Sequence, residues 1–152
     1  MRNSYSMKRE ELHTSTNNPR GIVEKMMKND AFSRWLGIEV LEVSEGFCKL
    51  KMCLGKEMLN GFYIAHGGIT YSLADSALAF ASNSRGRKAL SVDTSISHFE
   101  PLLEGDEIIA IATEESVKNK FGFYRVEIKK DDILVALFKG MVYRTDKLWE
   151  NY

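Results

Sequence analysis

Residues 67–83 read GGITYSLADSALAFASN, and they decide the architecture. Placed on a helix, this segment puts small and apolar side chains on every face. A helix that is apolar all round is buried inside a protein rather than laid on its surface. Four alanines let neighbouring backbone come close, and Gly86 supplies a stop just beyond. The segments on either side read differently. Ile22, Val23, Met26, Met27, Ala31, Phe32 and Trp35 recur at three- and four-residue spacing, which predicts one amphipathic helix ending at Gly37. Residues 38–54 read as two strands turning at Ser44-Glu45-Gly46, and 55–66 read as a loop. After the buried helix, residues 90–99, 107–117, 123–129 and 133–143 are strand-like. Tyr124, Val126 and Ile128 fall on one face, and Asp131-Asp132 makes a tight turn. Short turns between successive strands predict an antiparallel meander. One buried helix with one antiparallel sheet is an α+β layout.

The 152 residues fit one domain, expected over 21–146, with polar and flexible residues 1–20 before it and a tail at 147–152. Apolar residues make up 44% and charged residues 28%, which excludes wholesale disorder. Lys and Arg balance Asp and Glu at 21 each, so no global basic field draws nucleic acid or an anionic membrane. No run of 18 apolar residues predicts a transmembrane helix, and the first 20 residues hold no apolar core of a secretory signal. The expectation is a cytoplasmic protein. Cys48 and Cys53 form no CxxC, fall on opposite faces of a strand, and read as two buried, reduced thiols. His13, His66 and His98 are scattered, so no metal site is expected.

The buried helix carries one acid, Asp75, with no Lys or Arg within four residues. An ionised carboxylate in apolar surroundings costs several kcal/mol unless paired. That leaves two readings open: a functional acid, or a carboxylate at a helix edge bonded to backbone or solvent. His66-Gly67-Gly68 lies where loop becomes helix. Glycines there admit a ligand, and the first helical N–H groups lack internal partners and suit a developing oxyanion. Gly67 and Asp75 are separated by about 12 Å along one helix, too far for both to act on one carbonyl. Two copies packed antiparallel across a two-fold axis near Tyr71 bring them together, which predicts a homodimer with two shared sites.

Asn60-Gly61, His66-Gly67-Gly68, Tyr71-Ser72-Leu73-Ala74-Asp75, residues 79–83, Phe99-Glu100-Pro101, Gly105-Asp106, Val135-Ala136 and Gly140 together resemble the phenylacetate-pathway (PaaI-type) group of hotdog-fold thioesterases, over roughly residues 35–145. The resemblance implies a curved antiparallel sheet wrapped around one long helix, assembled as a homodimer or a dimer of dimers. It implies hydrolysis of an acyl-CoA, aryl or medium-chain, with no cofactor beyond the coenzyme A of the substrate. By position, Asp75 activates water or attacks the thioester. The Gly67 amide polarises the carbonyl, Asn60 orients water or thioester, and His66 shapes the loop. Gly68, Tyr71, Ser72, Arg85, Arg87, Lys88, Ser97 and His98 become candidates for contacts with substrate or CoA. Phe80 reads as core. A non-catalytic acyl-CoA binding module on the same fold is the alternative; a hotdog dehydratase fits the position of His66 poorly. Bulky Phe62-Tyr63-Ile64-Ala65 between Asn60 and His66 departs from the pattern of relatives, so the family name does not fix a phenylacetyl substrate.

Overall fold

The computed structural model describes residues 17–149. Helix α1 spans Pro19–Asn29, and its start is written in the sequence. The Asn18 side chain accepts the Gly21 N–H at 2.9 Å, and Pro19 occupies the first turn, where no N–H is needed. The single amphipathic helix expected here is broken. Asp30 ends α1 and caps a second short helix, α2 (Ala31–Trp35), accepting the Ser33 N–H at 2.9 Å and the Ser33 hydroxyl at 2.6 Å. The break turns Ser33 inward, where its hydroxyl meets that of Ser76 at 2.8 Å. It also leaves Phe32 and Trp35 exposed, packed on each other rather than on the core.

Strands β1 (Glu39–Ser44) and β2 (Phe47–Cys53) form the expected hairpin. The buried helix, α3, runs Gly67–Asn83 and is followed by Gly86 at a positive φ of 87°. Then come β3 (Arg87–His98), β4 (Glu107–Lys118), β5 (Phe121–Lys130) and β6 (Ile133–Leu148). All pairs are antiparallel, in the order β1-β2-β4-β5-β6-β3. The meander is therefore correct for β4, β5 and β6, and wrong for β3. The chain leaves β2, crosses the sheet as α3, and lays β3 at the far edge beside β6, so β3 and β4 are not neighbours. Strand β6 continues to Leu148, so the sheet takes in residues assigned from the sequence to a C-terminal tail. Of the segment 1–20, residues 1–16 and with them His13 lie outside the described residues, and Pro19 and Arg20 are helical.

The even-numbered residues 122–128 of β5 and 136–142 of β6, with Leu50 and Met52 of β2, face α3. Register shifts in β1, β3, β4 and β5 bend the sheet around the helix. Gly140 marks the closest approach, because a Cβ there would lie 2.5 Å from Leu78 Cδ2. From Leu73 to Asn83 every residue of α3 is buried except Asp75 and Ala79. Those two are one turn apart, so they form a single stripe the sheet does not cover. Phe80 sits wholly in the core, as expected. Cys48 faces inward, where burial pushes its thiol up to about 12, whereas Cys53 is exposed, so only one of the two thiols is buried. No helix among the described residues is long and apolar enough to cross a membrane.

Candidate active site

The N-terminal end of α3 is built by a loop folded on itself. Asn60 accepts the Phe62 N–H on Oδ1 at 2.8 Å, its own N–H donates to Ile64 O, and its carbonyl accepts from Tyr63. This tight turn holds Tyr63 at a positive φ of 60° and presents Phe62 and Tyr63 to solvent. Ala65 then donates to Leu102 O and His66 to Met58 O, which aims the chain into the helix.

His66 is the N-cap, and its Nδ1 accepts the Gly68 N–H at 2.9 Å. Ile69 donates to His66 O. The Gly67 N–H has no acceptor among the described residues, and Gly67 is exposed. Of the orphan donors at this helix start, Gly67 is thus the one pointing out of the structure. A lone pair on Nδ1 requires a neutral His66 ring carrying its proton on Nε2 while this bond is made. On the sheet side His98 Nε2 and the Thr70 hydroxyl are 2.6 Å apart, and a Cβ on Gly67 would lie 3.2 Å from His98 Cε1. His98 thus walls the helix start. Ser97 alternates to the other face of β3 and does not join it.

Midway along α3, Asp75 is half-buried with no hydrogen-bond or ion-pair partner among the described residues. Burial raises its carboxyl above the usual aspartate range. It opens onto a cavity of about 280 Å³ shared with Met26 of α1, Lys88 and Trp149. Gly67 and Asp75 therefore sit apart, about two turns of one unbroken helix. A larger cavity of about 570 Å³ lies on the opposite face of the sheet, lined by Asp93, Arg125, Phe123 and Lys139 among others, and holds none of the candidate catalytic or substrate-contact residues.

The other candidates scatter. Tyr71 turns toward the sheet, its hydroxyl bonded to that of Thr94 and its ring edge-on to Phe138 at 5.3 Å. Ser72 bonds Gly68 O at 2.7 Å, closing a local helix contact. Arg85, Arg87 and Lys88 do not form one basic cluster. The Arg85 guanidinium grips Glu114 with two bonds of 2.7 and 2.9 Å and reaches Glu45 at 3.3 Å, so it joins loop to sheet. Arg87 opens β3 opposite Leu148. Only Lys88 reaches the cavity of Asp75. The lining residue missed from the sequence is Trp149, near the end of the chain with no periodic apolar neighbours to signal it.

A six-stranded antiparallel sheet wrapped on one helix, with a glycine pair at the helix start and a lone acid in its middle, can be compared with known proteins. Residues 62–137 match the family model described as thioesterase superfamily. The chain belongs to the thioesterase superfamily. Within the superfamily it is a hotdog-fold protein of the PaaI-type group, and it is a thioester hydrolase. It is 41% identical to a putative esterase of Archaeoglobus fulgidus, over 83% of this chain and 82% of that one. It is 38% identical to the acyl-coenzyme A thioesterase PaaI of Escherichia coli, over 78% of this chain and 86% of the relative. The solved structure of the E. coli PaaI protein from the phenylacetic acid degradation operon superposes with a TM-score of 0.83 at 34% identity, over 86% of this chain and 95% of that one.

Proposed function

We propose that this thioesterase hydrolyses an acyl-CoA, with an aryl or medium-chain acyl group, to the free acid and CoA, at sites shared between two copies of the chain. The observation that carries the reading is Asp75: a half-buried carboxyl on an apolar helix, facing a cavity and engaged by no other described group. Such an acid destabilises the fold and is retained for chemistry. As carboxylate it takes a proton from water while the water oxygen bonds to the thioester carbon, or it attacks that carbon itself. The carbonyl oxygen gains negative charge and is met by the unengaged Gly67 N–H. The C–S bond then breaks, and the CoA sulfur leaves as thiolate and takes up a proton; where Asp75 itself attacked, water then hydrolyses the resulting mixed anhydride, releasing the free acid and restoring the carboxylate.

One chain cannot hold both groups at one carbon. Strand β3 suggests how two do. It is a twelve-residue edge strand with one side unpaired among the described residues, and Leu90 and Val92 on it are exposed. A long edge strand with exposed apolar side chains calls for cover. A second copy of β3 across a two-fold axis supplies it and sets each uncovered stripe of α3 against the partner's helix start. Asn60 and His66 then hold the loop that carries the Gly67 amide. Asn60 Nδ2, without a partner among the described residues, is the group left to meet water or thioester.

The test mixes two inactive variants. Asp75→Asn supplies intact Gly67, and Gly67→Pro supplies intact Asp75. After subunit exchange, half the dimers are mixed and each contains one complete site, so thiol release should return to about a quarter of wild type. No recovery after verified exchange would place both groups in one chain. Absence of thiol release by the wild type across aryl and aliphatic acyl-CoAs would turn the reading to a binding module.

A further inference from the structure

We propose that Trp149 is the end wall of the acyl pocket and sets the length of acyl group the enzyme accepts; this rests on the reading of Asp75 as the acid. The cavity that begins at Asp75 is lined mostly by apolar side chains, Met26, Leu78, Ala79, Ala89 and Leu90, with Lys88, Ser91 and Asn83 among them, and the indole of Trp149 stands at its Asn83 end. A largely apolar channel opening at the reacting carboxylate suits a hydrocarbon or aryl tail better than the charged nucleotide of CoA. Its far end is fixed rather than loose. Trp149 Nε1 donates to Asn83 Oδ1 at 2.8 Å, and the Trp149 backbone N–H donates to Gly86 O at 2.8 Å. Lys88 Nζ lies 5.0 Å from the ring centroid and Lys25 Nζ 5.9 Å, holding the ring by cation–π contact. Asn83 is itself locked by three further bonds, to Ala79 O, Ala89 O and Ala89 N.

The wall stands two turns of α3 beyond the acid. From Asp75 to Asn83 is about 12 Å of helix, a span of roughly eight to ten carbon atoms. A benzene ring or a medium chain fits within about 280 Å³; a long fatty chain meets the indole. The wall is supplied by the C-terminal end of the chain, beyond the segment 62–137 matched by the superfamily model.

The experiment measures kcat/KM for straight-chain acyl-CoAs from four to sixteen carbons, plus benzoyl- and phenylacetyl-CoA, in wild type, Trp149→Ala, Trp149→Phe and Asp75→Asn. Trp149→Ala should raise the ratio of twelve-carbon to six-carbon activity by at least about tenfold, the discrimination a few methylenes in a pocket supply. Trp149→Phe, which keeps a ring at the pocket end but loses the bond to Asn83, should shift that ratio by less than about threefold, whatever its absolute rate. An unchanged profile in Trp149→Ala with Asp75→Asn inactive would remove the wall and keep the acid. A shifted profile with Asp75→Asn active would keep the wall and remove the acid. A second measurement does not require Trp149→Ala to fold. Trp35 and Trp149 are the only tryptophans, and Trp35 is exposed. In a Trp35→Phe, Asp75→Asn protein, binding of decanoyl-CoA should alter the remaining indole emission and butyryl-CoA should not. Binding of both with no change in emission would overturn the proposal.

Discussion

At its C-terminal end, α3 carries Asn83, which is buried and makes four hydrogen bonds, and Ser84, whose hydroxyl bonds Ser44 O, Ala81 O and the Gly46 N–H. At the other end and midway, the Gly67 N–H and the Asp75 carboxyl bond to nothing else among the described residues. One helix thus holds two kinds of polar group in an apolar setting. Those with every partner satisfied tie helix, loop and sheet into one body. Those left open cost stability and are available to a substrate. The comparison teaches where to look for function in this chain: at polar groups without partners rather than at charged residues as such. Arg85 is conspicuous in the sequence, yet in the fold it is fully engaged with Glu114 and Glu45.

Five substitutions test that contrast. The largest effect belongs to Asp75→Asn, which should lower kcat by about 10²–10⁴ while the protein stays folded. Its stability should move the other way. Because burial raises the folded-state pKa, ionising Asp75 opposes folding as pH rises from its unfolded pKa through its folded one. In more acid solution both states are protonated and the effect vanishes. The melting temperature of Asp75→Asn should therefore exceed wild type at alkaline pH and match it in acid, and the acid limb of wild-type kcat/KM should lie above the ordinary aspartate range. Equal melting at both pH values would mean the carboxyl is engaged after all.

Gly67→Pro comes next. Gly67 is the first helical residue, where proline is favoured, and His66 has the extended φ and ψ of −62° and 134° that proline requires before it. The substitution deletes the N–H and spares the helix, so kcat should fall by about 10²–10³ with melting nearly unchanged. Gly67→Ala, which keeps the N–H and needs only a small shift of His98, should retain most activity. Equal loss in both would assign the effect to crowding. At the opposite end, Asn83→Leu strands the Ala89 backbone groups and the Trp149 indole, and should cost roughly 2–4 kcal/mol in urea denaturation. The smallest change is expected for Arg85→Ala: a loss of at most about 1 kcal/mol, since the pair is partly exposed, and a KM for acyl-CoA within twofold of wild type. A large rise in KM would return Arg85 to the CoA site.

The parts of the fold legible in sequence are those governed by local periodicity. The limits of α3 and the inward face of β5 follow from apolar patterning alone. The break between α1 and α2 also had a local signal, an aspartate three residues before Ser33, but the apolar spacing of Phe32 and Trp35 outweighs it on paper. The placement of β3 had none, because a strand carried across the sheet by a helix looks the same in sequence whichever edge it joins. Among the candidate residues, Gly67 was readable from the unpartnered N–H groups of a helix start and Asp75 from the cost of an acid in apolar company, whereas the capping role of His66 appears only in the fold. The partners of Arg85 and of Trp149 were not, since Glu114 and Asn83 lie far away along the chain.

The crossover also orders events in time. Strands β5 and β6 close through a two-residue turn, with Asp131 and Asp132 both in the left-handed region, and β4 joins β5 by a similarly short link at Asn119 and Lys120. Strand β3 pairs with β6 through residues roughly 40 to 60 positions apart, and chain closure over such distances slows folding. The hairpins are expected to form first and β3 to dock late, on a timescale of about milliseconds to seconds. Until it docks, α3 lacks one of its walls, so a nascent chain would hold its acid in water, and catalytic competence would emerge only with the final strand.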